Sequence, residues 1–276
     1  MSERRLYVSD LDGTLLNDNA ELSARTYAIL NDLLRKGLPF TVATARTYCT
    51  TLSILRGLPI TLPMILQNGA LLYDGAAKRI IHAETIESAQ FLNVCDAMRE
   101  QGVHGFVYCA EDDDLRCCYQ TLANDFMRQF YEERRDRYAK PFYQVESLAA
   151  LRGHSPVYVT MRAPQNVLQP VVELLKSTQG LTLSYYRDVY LADVWYLEIS
   201  AEKANKCEGI RRIQAMYGFD AVTGFGDNAN DLPLFAACDR KIAVANAAEV
   251  LKSQADAVIG KNTEDAVAEY LLENTH

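Results

Sequence analysis

Short apolar runs alternate with stretches of helical periodicity at both ends of this chain, and that alternation constrains the fold most. The first third contains three such runs, "RLYVSDL" (5–11), "LPFTVATA" (38–45) and "PMILQNG" (63–69). A run that is apolar on both faces is typical of a parallel-sheet strand covered by helices. Amphipathic stretches at 22–37 and 47–58 separate the runs. The pattern therefore predicts β-α-β-α-β and the α/β fold class.

The middle of the chain has a different character. From about residue 84 the sequence is richer in charge and tyrosine, and its apolar spacing is irregular. The buried α/β pattern resumes at about residue 190, where "YLEIS" (196–200) is interpreted as a strand of the core. These changes predict a discontinuous doubly wound core, residues 1–83 and 190–276, interrupted by an inserted α+β domain, residues 84–189.

Composition narrows the classes of partner. The chain has 276 residues and a formal net charge of −8, which argues against a nucleic-acid surface and against an anionic membrane. A phosphorylated small molecule remains compatible, because a metal ion can supply local positive charge. The seven cysteines show no metal-ligand spacing and indicate free thiols in a reducing cytoplasm. We expect a cytoplasmic monomer or weak homo-oligomer that acts on a small molecule.

Polar residues follow several of the predicted strands. Asp10 and Asp12 point to one side of the first strand, because successive side chains of a strand alternate between its faces. The carboxyl ends of parallel strands meet at one edge of the sheet, where ligands bind. The other polar residues expected at this edge are Thr44, Arg46, Gln67, Asn68, Asp227, Asn230 and Asp231, with Lys206 near the start of a helix.

These residue types favour a magnesium phosphate site. Asp10 and Asp227, with a backbone carbonyl near Asp12, offer the hard oxygen ligands that Mg²⁺ takes together with a substrate phosphate oxygen. Close carboxylates stay ionised together only when a cation lies between them. Thr44 and Lys206 are then interpreted as donors to the remaining phosphate oxygens.

Four segments in order resemble the motifs of the haloacid dehalogenase superfamily: "DLDGT" (10–14), Thr44, Lys206 and "GDNAND" (226–231). "QNGALLYDG" (67–75) and "GDNANDLPLF" (226–235) resemble its Cof-type phosphatase branch, and the inserted domain resembles a type-II cap. The chain departs from the branch pattern at Ala45 and Asn228, where glycine is more usual. Neither departure removes a functional group.

The resemblance implies a Rossmann-like core and assigns roles by position. Asp10 would be the nucleophile that forms an aspartyl-phosphate, and Asp12 would protonate the leaving group and then accept a proton from water. Asp10, Asp12 through its main chain, and Asp227 would hold Mg²⁺, while Asp231 would orient its neighbours. The phosphoryl contacts would be Leu11, Thr44, Ala45, Lys206 and Asn230.

Other interpretations remain open. Arg46 and Asn68 could contact the substrate or clamp the loops. The preferred function is hydrolysis of small phosphorylated metabolites, with sugar phosphates first. A phosphosugar mutase on the same core is an alternative, and so is a phosphate-binding module without chemistry. An EF-hand is unfavourable, because Leu15 stands where the loop needs glycine. "GFGDNA" (224–229) imitates a dinucleotide fingerprint, but Asp227 would repel the pyrophosphate.

Overall fold

The computed structural model describes residues 3–188 and 193–275. The strands of the described chain are β1 (Arg5–Ser9), β2 (Phe40–Val42), β3 (Met64–Leu66), β4 (Leu71–Asp74), β5 (Arg79–Ala83), β6 (Gly105–Glu111), β7 (Asp114–Tyr119), β8 (Phe142–Gln144), β9 (Pro156–Ala163), β10 (Leu181–Arg187), β11 (Trp195–Ala201), β12 (Ala221–Gly226), β13 (Arg240–Ala243) and β14 (Ala257–Val258). The α-helices are α1 (Ala24–Arg35), α2 (Tyr48–Ile54), α3 (Ser88–Glu100), α4 (Asp125–Tyr138), α5 (Gln165–Leu175), α6 (Lys206–Tyr217), α7 (Leu232–Ala236), α8 (Glu249–Lys252) and α9 (Ala266–Asn274). Within these described ranges, none of the helices has the length and apolar character needed to cross a bilayer.

The described residues form two compact units. The core unit comprises Met1–His82 and Asn205–His276, and the inserted unit comprises Ala83–Ala204. The core unit contains a parallel five-stranded sheet in the order β14-β13-β12-β1-β2, so the first strand lies between two neighbours. A parallel bridge from Ala43 to Ile65 links this sheet to β3 of a three-stranded sheet in the order β3-β4-β5, in which β3 and β4 are antiparallel. The predicted α/β core is confirmed.

Hydrogen bonds at the carboxyl ends of the central strands fix their register. The Asp10 amide donates to the Phe225 carbonyl of β12 over 3.0 Å. The Ala43 amide donates to the Ser9 carbonyl of β1 over 2.9 Å. Because each bond lies where its strand ends, the residues that follow β1, β2 and β12 begin at the same edge of the sheet.

The inserted unit is built on a six-stranded sheet in the order β10-β11-β9-β6-β7-β8. Its neighbouring strands are antiparallel, except that β7 and β8 are parallel. Helices α3 and α5 cover one face, where Phe91 and Leu168 pack with the sheet residues Val107 and Val159. This unit therefore has its own hydrophobic core, as expected for an inserted α+β domain.

The inserted unit is longer at its end than the sequence pattern indicates. The segment "YLEIS" lies in β11, and all five of its residues pair with β9 on one side and with β10 on the other rather than with a core strand. The unit consequently extends to Ala204, whereas the sequence placed the return to the core at residue 190. The predicted boundary between residues 189 and 190 itself lies outside the described residues. An apolar strand pattern shows that a segment is buried but does not show which strand it pairs with.

A tight turn at Gln67–Gly69 follows β3. Its residues have left-handed φ values of 48° (Gln67), 55° (Asn68) and 107° (Gly69). The Asn68 amide donates to the Thr44 carbonyl over 2.9 Å. A Cβ atom at Gly69 would lie 2.2 Å from the carbonyl oxygen of Asn205, the residue that caps α6. Glycine is thus required by the backbone conformation and by the close approach of a second backbone.

Gly69→Ala should destabilise the protein by more than Gly37→Ala does. Gly37 also has a left-handed φ, 92°, but a Cβ there meets no atom within 4 Å. The control therefore costs only the conformational strain, roughly 1–2 kcal/mol. The clash at Gly69 should add about 1–3 kcal/mol, because backbone atoms cannot move aside as a flexible side chain does. Urea unfolding of both variants measures the difference, and equal losses would contradict the close contact.

Candidate active site

The carboxyl ends of β1 and β12 deliver a cluster of aspartates. Asp10 follows β1, while Asp227 and Asp231 follow β12. One carboxylate oxygen from each of the three lies within 4.8 Å of those of the other two. Asp10 is 4% exposed and Asp231 is fully buried. The structure thus brings together the two residues, Asp10 and Asp227, whose side chains the sequence predicted to share a metal ion.

Lys206 supplies a positive charge to this cluster. Its Nζ atom donates to Oδ1 of Asp10 over 2.6 Å and to Oδ1 of Asp231 over 2.7 Å. The lysine begins α6, and the preceding Asn205 caps that helix by accepting the Glu208 amide over 3.0 Å. Since Lys206 is 1% exposed, its ammonium is bound by carboxylates and not by solvent.

Burial and repulsion shape the ionisation of the cluster. Burial disfavours the charged ammonium, but the carboxylates of Asp10 and Asp231 outweigh that effect and raise the pKa of Lys206. Burial raises the pKa of Asp10 well above its usual range, against the attraction of Lys206. Burial and repulsion by Asp231 raise the pKa of Asp227 to about 6. One ammonium among three carboxylates leaves a site whose charge favours a bound cation.

Asp231 is held by its own part of the chain. Its Oδ2 atom accepts the Asp227 amide over 3.0 Å and the Asn228 amide over 3.2 Å, while Oδ1 accepts from Lys206. Because both of its oxygens are occupied by donors, it fixes the orientation of the loop after β12. This arrangement suits the predicted role of orienting neighbouring groups.

The loop after β1 lies against Asp227. Gly13 has a φ of 74°, and a Cβ there would lie 2.4 Å from Oδ2 of Asp227. Thr14 donates its hydroxyl to Oδ1 of Asp227 over 3.2 Å. Asn246 donates its side-chain amide to the Gly13 carbonyl over 2.7 Å. Asn246 was not among the residues predicted from the sequence, although it follows the apolar run "KIAVA" (241–245), as other edge residues follow their strands.

Asp12 and Arg46 form a second cluster at this edge. The Arg46 guanidinium donates from Nε to Oδ2 of Asp12 over 2.7 Å and from Nη2 to Oδ1 over 2.5 Å. Thr44 is buried, and its hydroxyl accepts the Arg46 amide over 3.2 Å. The Asp12 side chain is 51% exposed, in contrast to Asp10. The two aspartates of "DLDGT" therefore occupy different environments.

The other predicted site residues lie in the loops at the same strand ends. Leu11 has a fully buried side chain, so only its main chain could contact a phosphoryl group. Ala45 and Asn230 are exposed, in the loop after β2 and in the turn Ala229–Asp231. Asn68 lies in the turn after β3, where its Oδ1 is buried without a hydrogen-bond partner in the described part of the chain.

The parallel α/β core, with three aspartates and a lysine brought together at the strand ends, agrees with the resemblance found in the sequence. A sequence model of the haloacid dehalogenase-like hydrolase family matches residues 7–271. The chain belongs to that family, and the resemblance found in the sequence is confirmed. It is an enzyme of the phosphatase type.

Named relatives support this assignment. The chain is 24% identical over 275 residues to the pyridoxal phosphate phosphatase YbhA of Escherichia coli, with 97% of each protein covered. It is 25% identical over 287 residues to the phosphatase YwpJ of Bacillus subtilis, covering 96% of this chain and 97% of that protein.

Solved structures share the fold. The crystal structure of TM0651 from Thermotoga maritima matches with a TM-score of 0.81 at 24% identity, covering 100% of this chain and 98% of that one. The sugar phosphatase BT4131, described as haloacid dehalogenase subclass IIB, matches with a TM-score of 0.73 at 20% identity and 98% coverage of both chains. The core and the inserted unit both have counterparts in these proteins.

Lys206→Met should destabilise the metal-free protein by about 3–5 kcal/mol, because it leaves two buried carboxylates without their counter-charge. Lys206→Met combined with Asp10→Asn should recover part of that loss, since it removes one of the two charges. Lys36→Met is the matched control: Lys36 is an exposed lysine paired with Asp32 on α1, and its loss should cost less than about 1 kcal/mol. Denaturant unfolding in EDTA provides the comparison. A Lys206→Met variant as stable as the control would show that the ammonium is not essential to the cluster.

Proposed function

We propose that this chain is a Mg²⁺-dependent phosphatase that hydrolyses small phosphorylated metabolites through an aspartyl-phosphate on Asp10. The observation that carries the proposal is the contact of buried Asp10 with Lys206, beside the carboxylates of Asp227 and Asp231. Phosphoryl transfer needs a positioned nucleophile and neutralisation of charge on the phosphoryl oxygens. This edge of the sheet offers both.

The donor set fits Mg²⁺, which takes one or two carboxylates and retains waters. Asp10 and Asp227 would hold the ion, together with the main-chain carbonyl of Asp12. Asp231 already accepts hydrogen bonds at both oxygens, so it would orient this set and not bind the ion. When bound, Mg²⁺ would neutralise negative charge shared between the carboxylates and the substrate phosphate.

The first half-reaction forms the intermediate. A carboxylate oxygen of Asp10 attacks phosphorus as the bond to the leaving-group oxygen breaks, and the bonding electrons pass to that oxygen. Asp12 supplies the proton that the leaving oxygen takes up. Thr44 and Lys206 donate hydrogen bonds to phosphoryl oxygens.

The second half-reaction releases phosphate. Asp12, now a carboxylate, accepts a proton from water as the water oxygen attacks phosphorus. The acyl-phosphate bond breaks, and Asp10 is regenerated. Dividing the reaction in this way lets one exposed carboxyl group act first as acid and then as base.

Small metabolites are the substrate class that fits best. The chain carries a net charge of −8, which disfavours polyanionic macromolecules. Similar proteins are named for pyridoxal phosphate, for a phosphoribitylamino-uracil and for sugar phosphates. We place sugar phosphates first and include the other two compounds as candidates.

All seven cysteines are free thiols, which supports a reducing cytoplasmic location.

The wild-type protein with Mg²⁺ should hydrolyse p-nitrophenyl phosphate and at least one compound in a panel of sugar phosphates and pyridoxal 5′-phosphate. Asp10→Asn should reduce turnover to background, because an amide is a poor nucleophile, while Asp32→Asn on the exposed side of α1 should not. Release of inorganic phosphate is measured, and an isomeric sugar phosphate would indicate a mutase instead. Full activity in Asp10→Asn would exclude the proposed intermediate.

Mg²⁺ should stabilise the core unit independently of activity. A ligand at a hundred times its dissociation constant contributes about 2.7 kcal/mol, which corresponds to a Tm increase of roughly 5–10 °C. Asp227→Asn should abolish the increase, because it removes one of the two carboxylate ligands, while Asp32→Asn should retain it. Thermal unfolding with Mg²⁺ and with EDTA checks this. An unchanged increase in Asp227→Asn would exclude the assigned ligand set.

A further inference from the structure

Arg46 is directed at a carboxylate of its own chain. The sequence left open whether Arg46 contacts the substrate or clamps a loop. In the structure its guanidinium binds Asp12 through two hydrogen bonds, one from Nε over 2.7 Å and one from Nη2 over 2.5 Å. A planar guanidinium that donates twice to one carboxylate fixes the orientation of that carboxylate as well as its position.

The two partners differ in exposure. The Arg46 side chain is 19% exposed, whereas the Asp12 side chain is 51% exposed. Because one partner is shielded, the pair is screened less than an ordinary surface ion pair. The exposed part of Asp12 remains accessible to a ligand, so the guanidinium supports the carboxylate from its protected side.

The backbone of Arg46 is anchored on both sides. Its amide donates to the Thr44 hydroxyl over 3.2 Å, and its carbonyl accepts the Gln67 amide over 3.1 Å. Gln67 begins the left-handed turn after β3, and Asn68 in that turn donates to the Thr44 carbonyl. These hydrogen bonds fix the loop after β2, which bears Arg46, against the turn that follows β3.

We propose that Arg46 is a positioning residue that acts on the substrate through Asp12. It holds the Asp12 side chain in one orientation through the two hydrogen bonds from Nε and Nη2. This inference rests on the proposed role of Asp12 as proton donor. It differs from both possibilities that the sequence left open for Arg46, contact with the substrate and clamping of the loops.

The benefit of Arg46 should depend on the leaving group. An alkoxide from a sugar or polyol phosphate is a poor leaving group and needs the proton from Asp12. p-Nitrophenolate is a stable anion and leaves without one. In kcat/KM, which reports the steps up to formation of the aspartyl-phosphate, a residue that acts through Asp12 should therefore matter for the first class of substrate and hardly at all for the second. Hydrolysis of the intermediate is common to both classes and does not enter this comparison. A residue that binds the phosphoryl group should matter equally for both, because both carry the same phosphate.

The test compares kcat/KM for glycerol 3-phosphate, or the best sugar phosphate of the panel, with that for p-nitrophenyl phosphate. For Arg46→Gln we expect a loss of about 10–100-fold on the alkyl phosphate and little change on p-nitrophenyl phosphate. Arg46→Lys should lie between, because it keeps the charge but loses the double hydrogen bond. Arg35→Gln, at an exposed position on α1, is the control and should match the wild type.

The double variant identifies the route of the effect. Arg46→Gln combined with Asp12→Asn should be no slower on the alkyl phosphate than Asp12→Asn alone, since the carboxylate through which Arg46 acts on the substrate is already removed in Asp12→Asn. Inhibition by inorganic phosphate should be the same in Arg46→Gln and in the wild type. Equal losses on both substrates, an additive double variant or weaker phosphate inhibition would overturn the inference and identify a direct phosphate contact.

Failure of the underlying mechanism has a different signature. If Asp12→Asn itself loses kcat/KM equally on both substrates, Asp12 is not the proton donor, and the inference falls together with that role. If Asp12→Asn shows the leaving-group dependence and Arg46→Gln does not, only the positioning role is refuted. Circular dichroism and thermal unfolding of each variant establish that it is folded. If Arg46→Gln does not fold, the comparison of the two substrates is made with Arg46→Lys instead.

Discussion

The contact of one buried ammonium with two buried carboxylates is the interaction on which the rest of this site depends. Lys206 lies 196 residues from Asp10 and 25 residues from Asp231 in the chain, and its Nζ atom reaches both. Burying such charges is unfavourable unless they are paired and hydrogen-bonded. The pairing therefore requires that β1, the loop after β12 and the start of α6 meet at one point. The capped end of α6 and the close approach of Gly69 to Asn205 fix that meeting point.

The same network leaves the site unbalanced in charge. Lys206 compensates part of the negative charge of Asp10 and Asp231, but the pKa of Asp227 is still raised to about 6 by burial and by its acidic neighbour. The folded protein therefore holds the Asp227 proton more tightly than the unfolded chain does. As a result, the free energy of unfolding falls as pH rises through the raised pKa of Asp227, about 6. A bound cation removes the penalty. The electrostatic cost of the carboxylate cluster and its affinity for a cation therefore have one cause.

The sequence predicted those parts of the structure that depend on local pattern. The sequence predicted that aspartates follow β1 and β12, because apolar runs followed by aspartates mark strand ends at a ligand-binding edge. The prediction that Asp10 and Asp12 point to one side of the first strand was wrong, because β1 ends at Ser9 and Asp12 lies in the turn beyond it, where strand alternation does not apply. Partner choice could not be predicted in the same way. The segment in β11 has the composition of a core strand, yet it pairs with β9 and β10 of the inserted unit. The ion pair of Asp12 with Arg46 joins residues 34 positions apart in the chain. It depends on the conformation of two loops, which the apolar periodicity of the sequence does not predict. Asn246 follows the apolar run "KIAVA" (241–245), so its position after a strand could have indicated a place at this edge.

The two aspartates of "DLDGT" show how environment separates the roles of identical side chains. Asp10 and Asp12 leave the same strand end, but Asp10 is buried against Lys206, whereas Asp12 is largely exposed and rests on Arg46. A nucleophile that forms a covalent bond to phosphorus benefits from a fixed, water-poor position beside a cation. A group that exchanges protons with a leaving group and then with water must instead reach solvent. Interchanging the two environments would place the proton carrier out of contact with water and the nucleophile in competition with it. The burial of Asp10 and the exposure of Asp12 therefore support the roles of nucleophile and proton carrier that the family resemblance implies for them.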